Sequence, residues 1–293
     1  MTLFDPDIAA DPGAGAQSGS VVTPPARGPV PAVTTRLRLG VAYDGSGFRG
    51  FAAQPGQRTV GGELARAIAV VAGHTVELVC AGRTDAGVHA TGQVVHVDVD
   101  PGTDPQRLLR SVNAMLGPAV VVRSAEVAAP GFDARRSATA RRYRYLVLEA
   151  PGPDPLLAPL SWHVPGPLDV RAMRSGADAL LGEHDFRAFC RRVPGTEPGT
   201  PIPRRVLDAR FALVPVGPPD IEGGARLLRF DIEATSFCHQ MVRSVVGVLV
   251  DVGRGRRRAS DVSWLLRSGD RSGGGNVLAP PQGLCLTAVA YGE

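Results

Sequence analysis

The stretch VELVCAGRTDAGVHATGQVVHVDV, Val76 to Val99, reads as two strands either side of a short polar loop rich in glycine. Val76 to Ala81 and Gln93 to Val99 are dense in β-branched residues, which suit a pleated, half-buried surface. Between them, Gly82-Arg83-Thr84-Asp85-Ala86-Gly87-Val88-His89 collects an arginine, a threonine, an aspartate and a histidine in eight residues. Its two glycines permit a sharp reversal of the chain. An aspartate in such a loop has an ordinary explanation as a turn-former that bonds its own backbone. A chemical role needs support from elsewhere in the chain.

The pattern outside this stretch sets the fold class. Upstream, Leu37, Leu39, Val41 and Tyr43 alternate as in a half-buried strand, and the turn Asp44-Gly45-Ser46-Gly47 follows. A helix is expected from Val60 to Ala72, with Leu64, Ile68 and Val71 on one face and Thr59 as N-cap. Downstream, Asp104-Pro105 opens a second helix with Leu108, Leu109, Val112 and Leu116 facing the core, and Ala119 to Val127 closes the set as a strand. The order β-α-β-β-α-β is that of the ferredoxin-like unit. The second half repeats it. Tyr143 to Leu148, Val206 to Val214, Leu227 to Ala234 and Leu284 to Tyr291 read as strands, Val170 to Leu181 and Phe237 to Val252 as helices, with a short extra helix at Val262 to Leu266.

The expected fold is therefore α+β: two ferredoxin-like α/β halves with mostly antiparallel sheets flanking a central cleft. Residues 35–137 would form the N-terminal half, carrying the Asp85 loop, and 138–293 the C-terminal half. A single larger α+β domain fits the same pattern. Residues 1–34, rich in Ala, Gly, Pro, Ser and Thr, read as a disordered leader. The polar insertions Arg191 to Pro203 and Arg267 to Gln282 read as loops that would line the cleft.

Composition narrows the function classes. At 293 residues with 44% hydrophobic content, the chain can build substantial cores. The longest apolar run, Met241 to Val252, is interrupted by Arg243, Ser244 and Asp251, so a membrane span is not expected. The N-terminus lacks a secretory pattern, which points to the cytoplasm. Cys80, Cys190, Cys238 and Cys285 form no Cys-x-x-Cys pair and read as small buried hydrophobes in a reducing compartment, not as a zinc site or disulfide framework. The formal charge is only +4, but all 32 basic residues are arginine. Any phosphate contact must therefore come from guanidinium groups, which bind phosphate bidentately and stack on bases. Arg135, Arg136, Arg141, Arg142 and Arg144 fall within ten residues, and Arg254, Arg256, Arg257 and Arg258 within five. Such runs form a solvated face or an RNA track.

Three motif readings fail on context. Gly45-Ser46-Gly47-Phe48-Arg49-Gly50 matches a dinucleotide fingerprint, yet no helix opens at its last glycine, and a surface turn is the better account. A zinc-deaminase constellation and a Gly-x-Ser-x-Gly elbow are both absent from the sequence. The helix Phe237 to Val252 is more informative. It is apolar nearly all round, with one polar stripe of Ser236, His239, Gln240, Arg243 and Gly247. A guanidinium on a buried helix is costly unless a carboxylate pairs with it. Arg243 would pair with Asp251 or Asp231, reach solvent, or cross the cleft to Asp85 and keep that carboxylate ionised and aimed.

The string Cys80 to His96, CAGRTDAGVHATGQVVH, resembles the catalytic-loop signature of the tRNA pseudouridine synthase A family. Phe132-Asp133-Ala134-Arg135, Ala138 to Tyr145, Met241 to Gly247 and Ala279 to Leu284 resemble further family segments in the family's order. The resemblance implies a two-domain fold, a homodimer, no cofactor (neither metal nor nucleotide), and tRNA as partner, with uridines 38 to 40 of the anticodon arm as substrate. It implies Asp85 as the catalytic carboxylate, acting as nucleophile at C1′ or as base at C2′. Tyr143 would stack on the flipped uracil unless it is simply a core tyrosine. Arg83 would fill the vacated stack or hold a phosphate, Arg243 would orient Asp85, and Arg141, Arg142 and Arg144 would contact backbone phosphates. The departures are local: Phe51 and Ala52 replace a usual Trp-Gln, Gly61 a usual Gln, and Leu116-Gly117-Pro118 varies a Leu-Pro turn. Two rival readings share the fold, a catalytically silent RNA-binding protein and a pseudouridine synthase directed to another RNA.

Overall fold

Thr59 and Asp104 start the first two helices as their side chains dictate. The Thr59 hydroxyl accepts from the Gly62 N–H and the Asp104 carboxylate from the Gln106 N–H, each satisfying a donor that the first helical turn leaves open. The computed structural model describes residues 33–192, 195, 197, 199–214, 225–270 and 278–292. Nearly all of the expected leader, and parts of both expected loop insertions, fall outside them. The first half contains β1 (Thr35–Tyr43), α1 (Val60–Ala72), β2 (Leu78–Cys80), β3 (His89–Val99), α2 (Pro105–Leu116) and β4 (Val120–Val127). The second contains β5 (Ala138–Glu149), β6 (Trp162–Val164), α3 (Val170–Asp178), β7 (Gly182–Asp185), β8 (Pro203–Val214), β9 (Arg226–Ala234), α4 (Met241–Gly253), α5 (Ser260–Ser268) and β10 (Leu284–Tyr291).

Within each half the strands follow the ferredoxin-like order and pair antiparallel: β4-β1-β3-β2 in the first, β10-β5-β9-β8 in the second. The α+β class with mostly antiparallel pairing is as expected. Element order alone does not show that the two sheets run on as one. β10 lies beside β3 in parallel, pairing Cys285 with His89 and Leu286 with Ala90. β3 thus has two partners on the same edge: its far end, Val95 to Val97, pairs with β2, and its near end with β10. This also explains why β3 starts at His89 and not at the expected Gln93. Ala90-Thr91-Gly92 carries no apolar alternation, and the strand extends through it because Ala90 is paired on both sides, with Tyr43 of β1 and Leu286 of β10.

The Asp85 loop sits where β3 changes partner. Gly92 makes the exchange possible, because a Cβ there would lie inside contact distance of the Thr287 carbonyl on β10. One face of the sheet packs on the helices through Leu37, Leu39 and Val41 of β1, Tyr145 and Val147 of β5 and Phe230 of β9. Strand alternation puts Arg36, Arg38, Arg142, Arg144 and Arg229 on the other face, paired with Asp98, Glu126, Glu233 and Asp231. Among the described residues no helix is long and apolar enough to cross a membrane.

Two expectations are corrected. Cys190 and Cys238 are not separate buried hydrophobes but a disulfide, their Cα atoms 5.8 Å apart across 48 residues of sequence. Scattered spacing hid the pair, because proximity here comes from the fold. The helix expected from Phe237 begins at Met241, since Gln240 is left-handed (φ +66°) and interrupts the helical path.

Gly92→Ala should cost about 1–3 kcal/mol, the usual penalty of forcing a methyl into packed backbone. Gly102→Ala, where a Cβ meets nothing within 4 Å, is the control. Denaturant unfolding of both variants checks this; equal midpoints would refute the close crossing of β3 and β10.

Candidate active site

The Asp85 loop is held at several points. The Tyr43 hydroxyl and Thr84 Oγ1 are 2.8 Å apart, Gln93 Nε2 donates to the Gly82 carbonyl at 2.7 Å, and the Phe51 N–H donates to the Thr84 carbonyl at 3.0 Å. Pro281 packs on Gly87, whose φ of +78° and close contact both call for glycine. The segment read as a surface turn is the loop's bed. Gly45 and Gly50 are buried, and a Cβ on either would strike the backbone of Val88 or Thr84. Phe48 and Phe51 are buried beside them. Gly61 in turn packs on Phe51, where a Cβ would come 2.6 Å from its carbonyl, so these two departures from the family pattern touch each other.

Against this fixed backbone, the Asp85 carboxylate bonds no backbone N–H among the described residues. Its partners are side chains from the other half. Arg243 Nη1 lies 3.3 Å from Oδ2, and His239 Nε2 lies 3.3 Å from Oδ1. Every residue of α4 is buried except Arg243, whose side chain is 12% exposed. Its Nε donates to the Ala279 carbonyl at 2.8 Å, fixing the guanidinium from behind. The other acids open to it are engaged elsewhere: Asp251 with Arg256, and Asp231 with Arg144 and Arg229. The structure therefore brings Arg243 to Asp85 across the junction of the halves. Ala279 to Gly283 completes the wall, with the Tyr145 hydroxyl on the Pro280 carbonyl at 2.7 Å.

Tyr143 is close to this pair and only 7% exposed. Its ring meets Phe237 edge-on, centroids 5.1 Å apart, and its hydroxyl makes no hydrogen bond among the described residues. Burial, and then the negative charge that Tyr43 and Asp85 can carry, push that hydroxyl above its ordinary range, so it stays a phenol. Arg83 is exposed and forms no hydrogen bond or ion pair among the described residues, which leaves its guanidinium available at the loop's surface.

The other arginines are placed differently. Arg141 is spent inside the protein, donating to the carbonyls of Ala81, Arg135, Ala138 and Thr235 and tying the loop's first strand to both halves. Desolvation lowers its pKa. Arg142 and Arg144 bind Glu233 and Asp231 on the opposite face of the sheet from Tyr143. The structure does not bring these three together with Asp85. Tyr43, Gln93 and His239 also reach the Asp85 loop, and no motif in the sequence marks them for that part. His239 alone left a signal, as a member of the polar stripe that holds Arg243.

Residues 40–130 and 177–292 match the family described as tRNA pseudouridine synthase. A protein of Frankia casuarinae is 45% identical over 260 residues, covering 87% of this chain and 89% of its own. One from Methylobacterium is 44% identical, covering 88% and 98%, and one from Caulobacter vibrioides 42%, covering 88% and 99%. All three are named tRNA pseudouridine synthase A. The matched segments include β3, the Asp85 loop, α4 and β10, which bring Asp85 and Arg243 together, and on these grounds the chain belongs to the tRNA pseudouridine synthase family.

Proposed function

We propose that this protein converts uridine to pseudouridine at positions 38 to 40 of the tRNA anticodon arm, with Asp85 as the reacting carboxylate. Family membership makes the chain an isomerase acting on uridine in tRNA. The observation that carries the assignment of Asp85 is its carboxylate, free of its own backbone and paired with the near-buried Arg243. A turn-forming aspartate would be bonded locally. A silent RNA-binding protein has no need to align a carboxylate with a guanidinium across two halves.

The reaction breaks the bond from ribose C1′ to uracil N1, turns the base, and joins C1′ to C5. Bonds are redistributed within one nucleoside, so no redox carrier or energy donor is consumed. The chemistry needs an ionised carboxylate beside the ribose, as nucleophile at C1′ or as base at C2′. Arg243 orients Asp85, its Nη1 lying 3.3 Å from Oδ2. The target base leaves its stack to be reached. Tyr143 is the platform for it, and Arg83 fills the space vacated or holds a neighbouring phosphate. Arg142 and Arg144 meet only RNA that passes onto the opposite sheet face, and Arg141 supports the loop. The reading retains a homodimer working in the cytoplasm.

Asp85→Asn should lose pseudouridine formation by about 10³-fold or more, in the range set by removal of a catalytic group, with tRNA binding retained. Site-specific mapping of pseudouridine in unmodified tRNA checks both rate and position; near-normal turnover refutes the role of Asp85, and product elsewhere refutes the anticodon-arm assignment. Arg243→Leu should lower kcat roughly 100-fold, the scale of a misplaced reacting group, with tRNA affinity nearly unchanged. An effect confined to affinity contradicts the orienting role. Binding of unmodified tRNA should weaken steeply between about 50 and 200 mM salt; a flat profile in a filter or fluorescence titration contradicts arginine–phosphate contacts.

A further inference from the structure

We propose that His239 is a second positioning residue for the reaction, holding Oδ1 of Asp85 toward the mouth of the cleft while Arg243 holds Oδ2. The inference rests on the reading of Asp85 as the reacting carboxylate and deepens it. A carboxylate held by one oxygen can still turn about its last bond, where the torsional wells are broad. Partners on both oxygens fix its plane. Arg243 supplies one from within the protein, at 12% exposure. His239 supplies the other from the open side, at 46% exposure.

The placement of His239 is enforced by its surroundings. Cys238, the preceding residue, is tied to Cys190 by the disulfide. The carbonyl of His239 accepts the Arg191 N–H at 2.9 Å. The following residue, Gln240, is the one non-glycine residue with positive φ among the described residues, and its side chain provides no helix cap. That conformation costs on the order of 1 kcal/mol and persists only where neighbouring contacts impose it. A covalent tie, a hydrogen bond and a strained neighbour thus fix the backbone at a residue whose side chain reaches Asp85. Phe237, one residue before Cys238, touches Tyr143, so the same short segment contacts both groups assigned to the substrate.

The arrangement also singles out the oxygen that reacts. Oδ2 faces the near-buried Arg243, whereas Oδ1 faces the imidazole of His239, the more exposed of the two partners. Oδ1 lies 3.3 Å from the imidazole of His239, and a carboxylate oxygen's second lone-pair site is left for C1′ or the C2′ hydrogen. His239 acts through Asp85 and does not itself touch the reacting atoms.

Single-turnover rates at saturating unmodified tRNA, with tRNA dissociation constants and melting temperatures, should be measured for the wild type, His239→Ala, His239→Gln and Asp85→Asn. His239→Ala is expected to slow the reaction roughly tenfold, a fraction of the loss seen when a reacting group is misplaced by an ångström, with tRNA affinity within about twofold of wild type by the same reasoning. His239→Gln, which retains an N–H donor, should recover most of the rate. Restoration by a donor is not expected of a residue that merely fills space. The proposal is overturned if His239→Ala reacts at the wild-type rate, if His239→Gln is as slow as His239→Ala, or if the loss lies wholly in tRNA affinity. Activity surviving in Asp85→Asn would instead overturn the reading of Asp85, so the two failures are separable.

Discussion

A guanidinium held almost entirely inside the protein needs an anion, and in this chain that requirement joins the two halves. Arg243 stands on α4, a helix otherwise buried along its whole length, and its acid is Asp85 on the loop between β2 and β3. Removing Asp85 alone would strand Arg243, 12% exposed, in a poorly hydrated site, which is the costly way to break such a pair. The neighbouring parts serve the same alignment. Ala279 fixes the guanidinium, Tyr43 and Gln93 hold the loop through the Thr84 hydroxyl and the Gly82 carbonyl, and glycines at 45, 50 and 87 let the loop lie close on its bed.

The sheet explains why the carboxylate comes to lie at the junction. β3 is shared between β2 of its own half and β10 of the other, and the Asp85 loop leads into the end shared with β10. The ferredoxin-like order of each half brings β10 beside β5, which carries Tyr143. A loop at the changeover therefore faces α4 and β5 at once. The position of the loop thus follows from topology.

Much of this was legible in the residues. The limits of α1 and the caps of α1 and α2 follow from Thr59, Asp104 and helical periodicity, which are local signals. The Asp85–Arg243 contact was legible for a different reason: a lone cation on an apolar helix creates a demand that few acids can meet. The β3–β10 pairing was not legible, since short parallel pairing between distant segments leaves no periodic trace. The Cys190–Cys238 bond was hidden likewise, because 48 residues separate its ends. Arg141 misled for a third reason. A run of arginines resembles a phosphate track whether its members face RNA or backbone carbonyls, and only the fold shows that Arg141 is committed to the latter.

The most direct test of this account is a double-mutant cycle on unfolding free energy, using the wild type, Asp85→Asn, Arg243→Leu and the double variant. Pairing across the halves predicts strong coupling, about 1–3 kcal/mol, with the double variant losing clearly less than the two single losses combined. Additivity to within about 0.5 kcal/mol, as found for independent sites, would contradict it.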